Sequence, residues 1–307
     1  MRAPGARGGG GASLARRPRR TRVALEAALV VLAVLASSWV VFQHTLYELE
    51  AARAPDPRPE AAVVVAVTGD VFRLSPGRGA SALAVGQRLL PEDSVRTGRG
   101  AHTDLVVGGR SRVTVAEASQ LTVRELSGKL HRFRLSRGQI GVDYPADGGR
   151  ILRVEGEDGA EAETQAARFG MLSTGAAVAI ATETGAVRLR AHGHAVAVRA
   201  GAQAVALHGQ PPSSAEPIPR TLLLKIAAAR APVAASTCAE VRGEAPPGSE
   251  VTVDGAPVPV AREGTFRARL PPSQQRTSVR VAVRDAAGRE SVRVVPCAVD
   301  FPMAAAP

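Results

Sequence analysis

From residue 63 to residue 299 the chain is written in short runs in which Val alternates with polar residues, among them "VVVAV", "VRLRA", "VAVRA" and "SVRVAVRD". Successive side chains of a strand point to opposite faces, so a period of two builds half-buried sheets and is incompatible with an amphipathic helix. Gly, Asp or Ser interrupts the runs about every eight to twelve residues, the rhythm of an all-β domain. The expected fold class is therefore mainly β. Strands are expected at 63–67, 71–74, 94–97, 104–107, 112–115, 120–125, 131–135, 139–143, 150–155, 176–182, 187–190 and 196–199, within a first β-domain over 63–207. A Pro-rich linker with one short strand, "TLLLKI" at 221–226, covers 208–235 and closes the first domain. A second β-domain over 236–300 is expected to hold strands at 237–242, 250–253, 265–270, 278–284 and 290–299, with an Asp254-Gly255 hairpin turn and a disordered tail over 301–307.

Upstream the text changes. Val23 to Phe42, with Trp39 near its far end, is a 20-residue stretch with one charge, Glu26. At about 1.5 Å per residue it spans the roughly 30 Å core of a bilayer. Seven arginines precede it and Glu48 and Glu50 follow, so the positive-inside rule leaves a disordered basic tail, 1–22, in the cytoplasm and exports the rest. The expectation is a single-pass inner-membrane protein with its C-terminal region in the periplasm. A cleaved leader ending at "ARA", residues 52–54, is the rival, disfavoured because the apolar run is long and the cut lies a dozen residues beyond it. Residues 43–62 read as a helical and Pro-rich spacer.

The net charge of +11 suggests nucleic acid until it is placed along the chain. Beyond Phe42 there are 32 bases against 27 acids, and only 3% of residues are aromatic. A body with so little charge surplus and so few stacking platforms excludes nucleic acid as a partner. The two cysteines, Cys238 and Cys297, both fall in the second β-domain, where export would permit a disulfide between them.

Gly69, Val71, Gly86, Leu89, Asp93, Thr97, Gly98, Leu135, Gly138 and Val142 follow a pattern of Gly-x-Val, Gly-x-x-Leu, an acid turn, Thr-Gly and Leu-x-x-Gly-x-x-x-Val. In this the region from about residue 64 to 226 resembles the FecR-like periplasmic domain. Glu92 stands where that family has Gly, and the family's cytoplasmic anti-sigma segment has no counterpart in the 22-residue tail. The resemblance implies an exported β-domain that contacts envelope proteins. The stretch from "VRGEAPPGSEVTVDG" to "DAAGRESV" resembles small bacterial Ig-like modules, which implies a C-terminal β-sandwich whose first and last strands the cysteines join.

No arrangement of catalytic residues stands out. "GRGASA" (77–82) has dinucleotide-loop spacing but no room for the helix that would follow, so it reads as a hairpin loop. His192 and His194 lack a third metal ligand and read as a polar turn. The acidic run 155–163 lacks the ordered spacing of a calcium loop and reads as a solvated loop. No catalytic residue, cofactor or metal is expected. The chain reads as a non-catalytic protein-interaction or signal-relay module of the cell envelope; the alternative is a module that binds or braces envelope glycan, with peptidoglycan as partner.

Overall fold

The computed structural model describes Trp39 and residues 60–228, 240–271 and 277–297. The chain divides into two compact units, Met1–Arg58 and Pro59–Pro307, and every strand among the described residues lies in the second. The expected span 23–42 lies outside the described residues apart from Trp39, which is helical and exposed. Among the described residues no helix is long and apolar enough to cross a membrane.

The described body is almost entirely strand. The first part contains β1 (Ala62–Thr68), β2 (Val71–Ser75), β3 (Gly79–Ala82), β4 (Arg88–Leu89), β5 (Ser94–Thr97), β6 (His102–Val107), β7 (Ser111–Val115) and β8 (Gln120–Leu126). It continues through β9 (Leu130–Tyr144), β10 (Ile151–Glu155), β11 (Glu161–Thr164), β12 (Ala167–Ser173), β13 (Ala177–Ala191), β14 (His194–Arg199), β15 (Ala202–Leu207) and β16 (Glu216–Pro217). The second part contains β17 (Lys225–Ala228), β18 (Glu240–Glu244), β19 (Glu250–Val253), β20 (Ala256–Val258), β21 (Thr265–Arg269), β22 (Ser278–Arg284) and β23 (Glu290–Pro296).

Two long strands build the first sandwich by belonging to both of its sheets. The first half of β9 pairs with β8 and with β10, the latter in parallel, whereas residues from Gly138 onward pair with β7 and β12. Likewise β13 pairs first with β12 and β15, then beyond Gly185 with β14 and β11. Both corners are glycines at positive φ, +83° and +76°. A side chain at Gly138 would place its Cβ 2.2 Å from Ser119 Oγ, so the corner needs glycine for conformation and for space. Between the sheets lies one apolar core, including Val64, Leu105, Phe133, Leu135, Ile140, Tyr144, Met171 and Ile180.

The second sandwich sets a three-stranded sheet, β17-β18-β21, against a four-stranded one, β20-β19-β22-β23, over a core of Val241, Val251, Phe266, Val279, Val281 and Cys297. The strand expected at 221–226 forms at Lys225–Ala228 and joins this sandwich by pairing with β18, so it does not close the first domain. Much of the expected linker is also packed structure. Ser213 N–H donates to Val205 O, β16 pairs with β15, and Ile218 enters a small core with Leu172, Ala179, Ala181 and Ala286. Residues 208–218 therefore fold back over the first sandwich.

Candidate functional site

The residues carrying the family-like pattern gather at corners and in the core, where they shape the fold. Val71, Leu89, Leu135 and Val142 are buried. Gly98 N–H donates to Asp70 O, and Thr97 Oγ1 donates to Ala116 O at 2.6 Å while accepting from Ser119 N–H at 2.9 Å. Gly138 meets the same Ser119, so β5, the turn before β8 and the bend of β9 are tied at one point. Gly69 and Gly86 lie at positive φ in turns. Asp93 is buried and accepts from Ser75 Oγ (2.5 Å), Leu90 N–H (2.8 Å) and Arg73 Nη2 (2.7 Å). Burial alone would raise its carboxyl, but these donors outweigh it and hold the pKa below the usual carboxylate value.

A distinct feature lies on the outer face of the sheet that carries β7, the second half of β9 and β12. Register aligns Asp104, Thr114, Gly141, Gly170 and Ala181 in one row across five strands. Small residues there admit another backbone, and the β22–β23 hairpin loop takes the space. Ala286 O sits where a side chain on Gly170 would be, 1.9 Å from its Cβ position. Buried Gln139 donates from Nε2 to Asp285 O (3.0 Å) and Ala286 O (3.3 Å). Asp285 braces the loop by accepting from Arg289 N–H (2.9 Å) and Arg289 Nε (2.8 Å). Arg284 pairs with Glu117, and Arg99 Nη2 donates to Gly255 O at 2.8 Å. The two sandwiches are thus joined by an apolar contact ringed with hydrogen bonds.

Beside this seam is a cleft of about 640 Å³. Its lining includes Arg112, Gly141, Asp143, Arg168, Glu183 and Glu290. Asp143 accepts from Arg168 at 2.9 Å, and Arg112 lies 3.3 Å from Asp104. The cleft is formed by both sandwiches, so separate strand patterns in the sequence carry no sign of it.

The histidines form the expected polar turn and add a contact that the sequence does not show. His192 and Gly193 are the turn between β13 and β14, as the sequence reads, but His192 Nε2 lies 2.8 Å from Asp158 Oδ2 and His208 Nδ1 lies 3.5 Å from it. Gly209 N–H also donates to this carboxylate, and that bond with the His192 contact lowers its pKa. Asp158 belongs to the acidic run, whose expected solvated loop is partly strand: Glu161–Thr164 is β11, with Glu163 paired to Arg153 at 2.9 Å. Among the described residues no group of three or more His, Cys, Asp or Glu is arranged to hold a metal ion.

His131 escapes sequence reasoning altogether. It is 1% exposed; its Nε2 lies 2.8 Å from Glu60 Oε2 and its Nδ1 lies 3.2 Å from Tyr144 Oη. A neutral ring donating from Nε2 and accepting at Nδ1 satisfies both partners, and Arg150 Nη2 donates to the other Glu60 oxygen at 3.2 Å. Burial lowers the pKa of His131 and pushes the Tyr144 phenol up to about 12. The single signal available, a lone His in a β-run, does not separate this from a surface histidine.

The family-like pattern residues of this two-sandwich β-body are thus spent on corners and core. Residues 93–188 match the family described as FecR protein, so the chain carries a FecR domain there. Six of the ten pattern residues, from Asp93 to Val142, fall inside that match. Two crystal structures, at 2.50 and 1.65 Å, of a Parabacteroides distasonis protein assigned as an anti-sigma factor are similar at 12% identity and a TM-score of 0.37. The likeness covers 40% of this chain and 59% of that one. No curated protein matches the sequence.

Proposed function

We propose that this protein is a membrane-anchored, non-catalytic interaction and signal-relay module of the cell envelope, its FecR domain and a C-terminal Ig-like sandwich displayed in the periplasm. The observation that carries the reading is the seam: the module beyond the FecR domain is seated on it by the Ala286 loop, Gln139 and Arg284, so what binds one sandwich is felt by the other. Seven antiparallel strands in sheets of three and four support the Ig-like assignment. The anchor rests on the apolar run 23–42 behind seven arginines. Export is further supported by Cys297, which is disulfide-bonded; Cys238, the other cysteine of the sequence, lies outside the described residues.

The test is photo-crosslinking in cells, with the crosslinker placed in turn at exposed positions such as Val85 and Val294 of the two sandwiches. Adducts with an envelope protein are expected. Their absence at every position, with the chain sedimenting on purified peptidoglycan instead, overturns the reading in favour of a glycan-binding role.

A further inference from the structure

Of the two glycines facing each other at the centre of the seam row, only one is explained by what touches it. Gly170 is filled by the Ala286 carbonyl, whereas a Cβ on Gly141 would meet nothing nearer than Thr114 Cβ, at 3.9 Å. Its φ is not in the left-handed region, so no turn demands glycine there. A bare glycine inside a central strand costs about 0.5–1 kcal/mol relative to alanine. Its effect is to keep the floor of the cleft open.

The charges name what the open floor would receive. Each arginine on the lining is already engaged: Arg168 with Asp143, Arg112 with Asp104 and Arg284 with Glu117. The carboxylates are not all answered. Glu183 has no ion pair among the described residues, and Glu290 reaches only Arg280, at 3.9 Å. Glu183, unpaired among the described residues, comes from β13 of the first sandwich, and Glu290, held only by the long contact to Arg280, from β23 of the second, so carboxylate charge able to take a cation lies on both sides of the seam. A volume of about 640 Å³ holds a long side chain together with the backbone that carries it.

We propose that the seam cleft binds a lysine- or arginine-bearing extended segment of a partner protein, the cation meeting Glu183 and Glu290 over the bare floor at Gly141. The proposal rests on the interaction reading above and gives it a site and a chemistry. Because the two carboxylates belong to different sandwiches, the bound segment also tightens the seam.

The probe is the blocked hexapeptide Ser-Lys-Ser-Lys-Ser-Lys, titrated at low salt onto the full chain in detergent and followed by fluorescence polarisation, with the Glu-for-Lys peptide as control. Saturable binding of the Lys peptide alone is expected. The double variant Glu183→Gln/Glu290→Gln, which keeps shape and removes charge, is expected to weaken it about tenfold or more. Gly141→Val, which fills the floor at a position where a Cβ meets nothing nearer than 3.9 Å, is expected to abolish it with the melting temperature kept. Equal binding of the Glu peptide, or unchanged binding by both variants, overturns the proposal. So does peptidoglycan sedimentation that Gly141→Val abolishes while the Lys peptide fails to bind. Failure of the peptide with cellular crosslinks retained removes this site and leaves the interaction reading standing; peptide binding without crosslinks does the reverse.

Discussion

Glu92 holds its backbone at φ +71°, a conformation that costs an L side chain about 1–2 kcal/mol. Its position is fixed by the N–H bond to Val123 O at 2.7 Å, and its carboxylate meets Arg124 Nη1 at 2.7 Å. That pair is too exposed to return more than a few tenths of a kcal/mol. Glycine adopts this conformation without that cost, so the strain belongs to the side chain that stands here. Glu92→Gly relieves it against about 0.5–1 kcal/mol of added unfolded-state entropy, so a net gain of about 0.5 kcal/mol is expected in urea denaturation. His131 carries the opposite kind of cost. Its folded pKa lies below the unfolded value near 6.5, so the unfolded chain binds more protons between the two. Its contribution is complete above about pH 6.5 and is lost as pH falls through the folded value, with a limiting slope of about 1.4 kcal/mol per pH unit. Glu60, Arg150, Asp147 and Tyr144 surround it and set the balance. His131→Gln can keep one donor and one acceptor without titrating; stability measured between pH 7 and 5 is expected to be lower throughout but flatter than that of the parent.

Elements with clean alternation stand where the sequence puts them: Ser94–Thr97, Glu250–Val253 and Ser278–Arg284 form at their expected bounds. The elements that escape have physical reasons to do so. β12, "ARFGMLS", shows one exposed polar residue, Arg168; beyond it the strand is covered on both faces, by the first core and by the Ala286 loop, so from Phe169 to Leu172 no polar residue marks a period of two. β9 and β13 read as two strands each because Gly138 and Gly185 look like breaks, yet both glycines bend a continuous strand from one sheet into the other. β11 hides in an acidic run whose outward glutamates are paired with arginines across the sheet. The sandwich was thus legible and its closure was not, since closure depends on how far a strand continues past a glycine. Gly138→Ala combines left-handed strain with contact against Ser119, and a loss of about 2 kcal/mol or more is expected in chemical denaturation. An unchanged midpoint would mean that this corner does not hold the two sheets together.

At the scale of the whole body, the sequence separates two β-domains with a linker, whereas the structure seats one upon the other. The turn "DAAGR" reads as an ordinary hairpin signal, and nothing in it announces that Ala286 lands on a glycine more than a hundred residues away. The two row glycines allow that docking to be tested, because they are cross-strand neighbours with opposite surroundings. At Gly170 a new Cβ meets a backbone carbonyl 1.9 Å away, which cannot yield as a flexible side chain would. At Gly141 it meets only Thr114 Cβ at 3.9 Å, an ordinary van der Waals contact, and valine there adds strand propensity. Gly170→Val is therefore expected to unseat the second sandwich and to strip the small core of Leu172, Ala179, Ala181 and Ala286 of one wall. Calorimetry of the full chain should then resolve two transitions in place of one coupled transition, while Gly141→Val keeps the parent profile. If Gly170→Val also kept the single coupled transition, the sandwiches would be held together by something other than the seat of Ala286 on Gly170, and the seam would not be what registers on one side a partner held on the other.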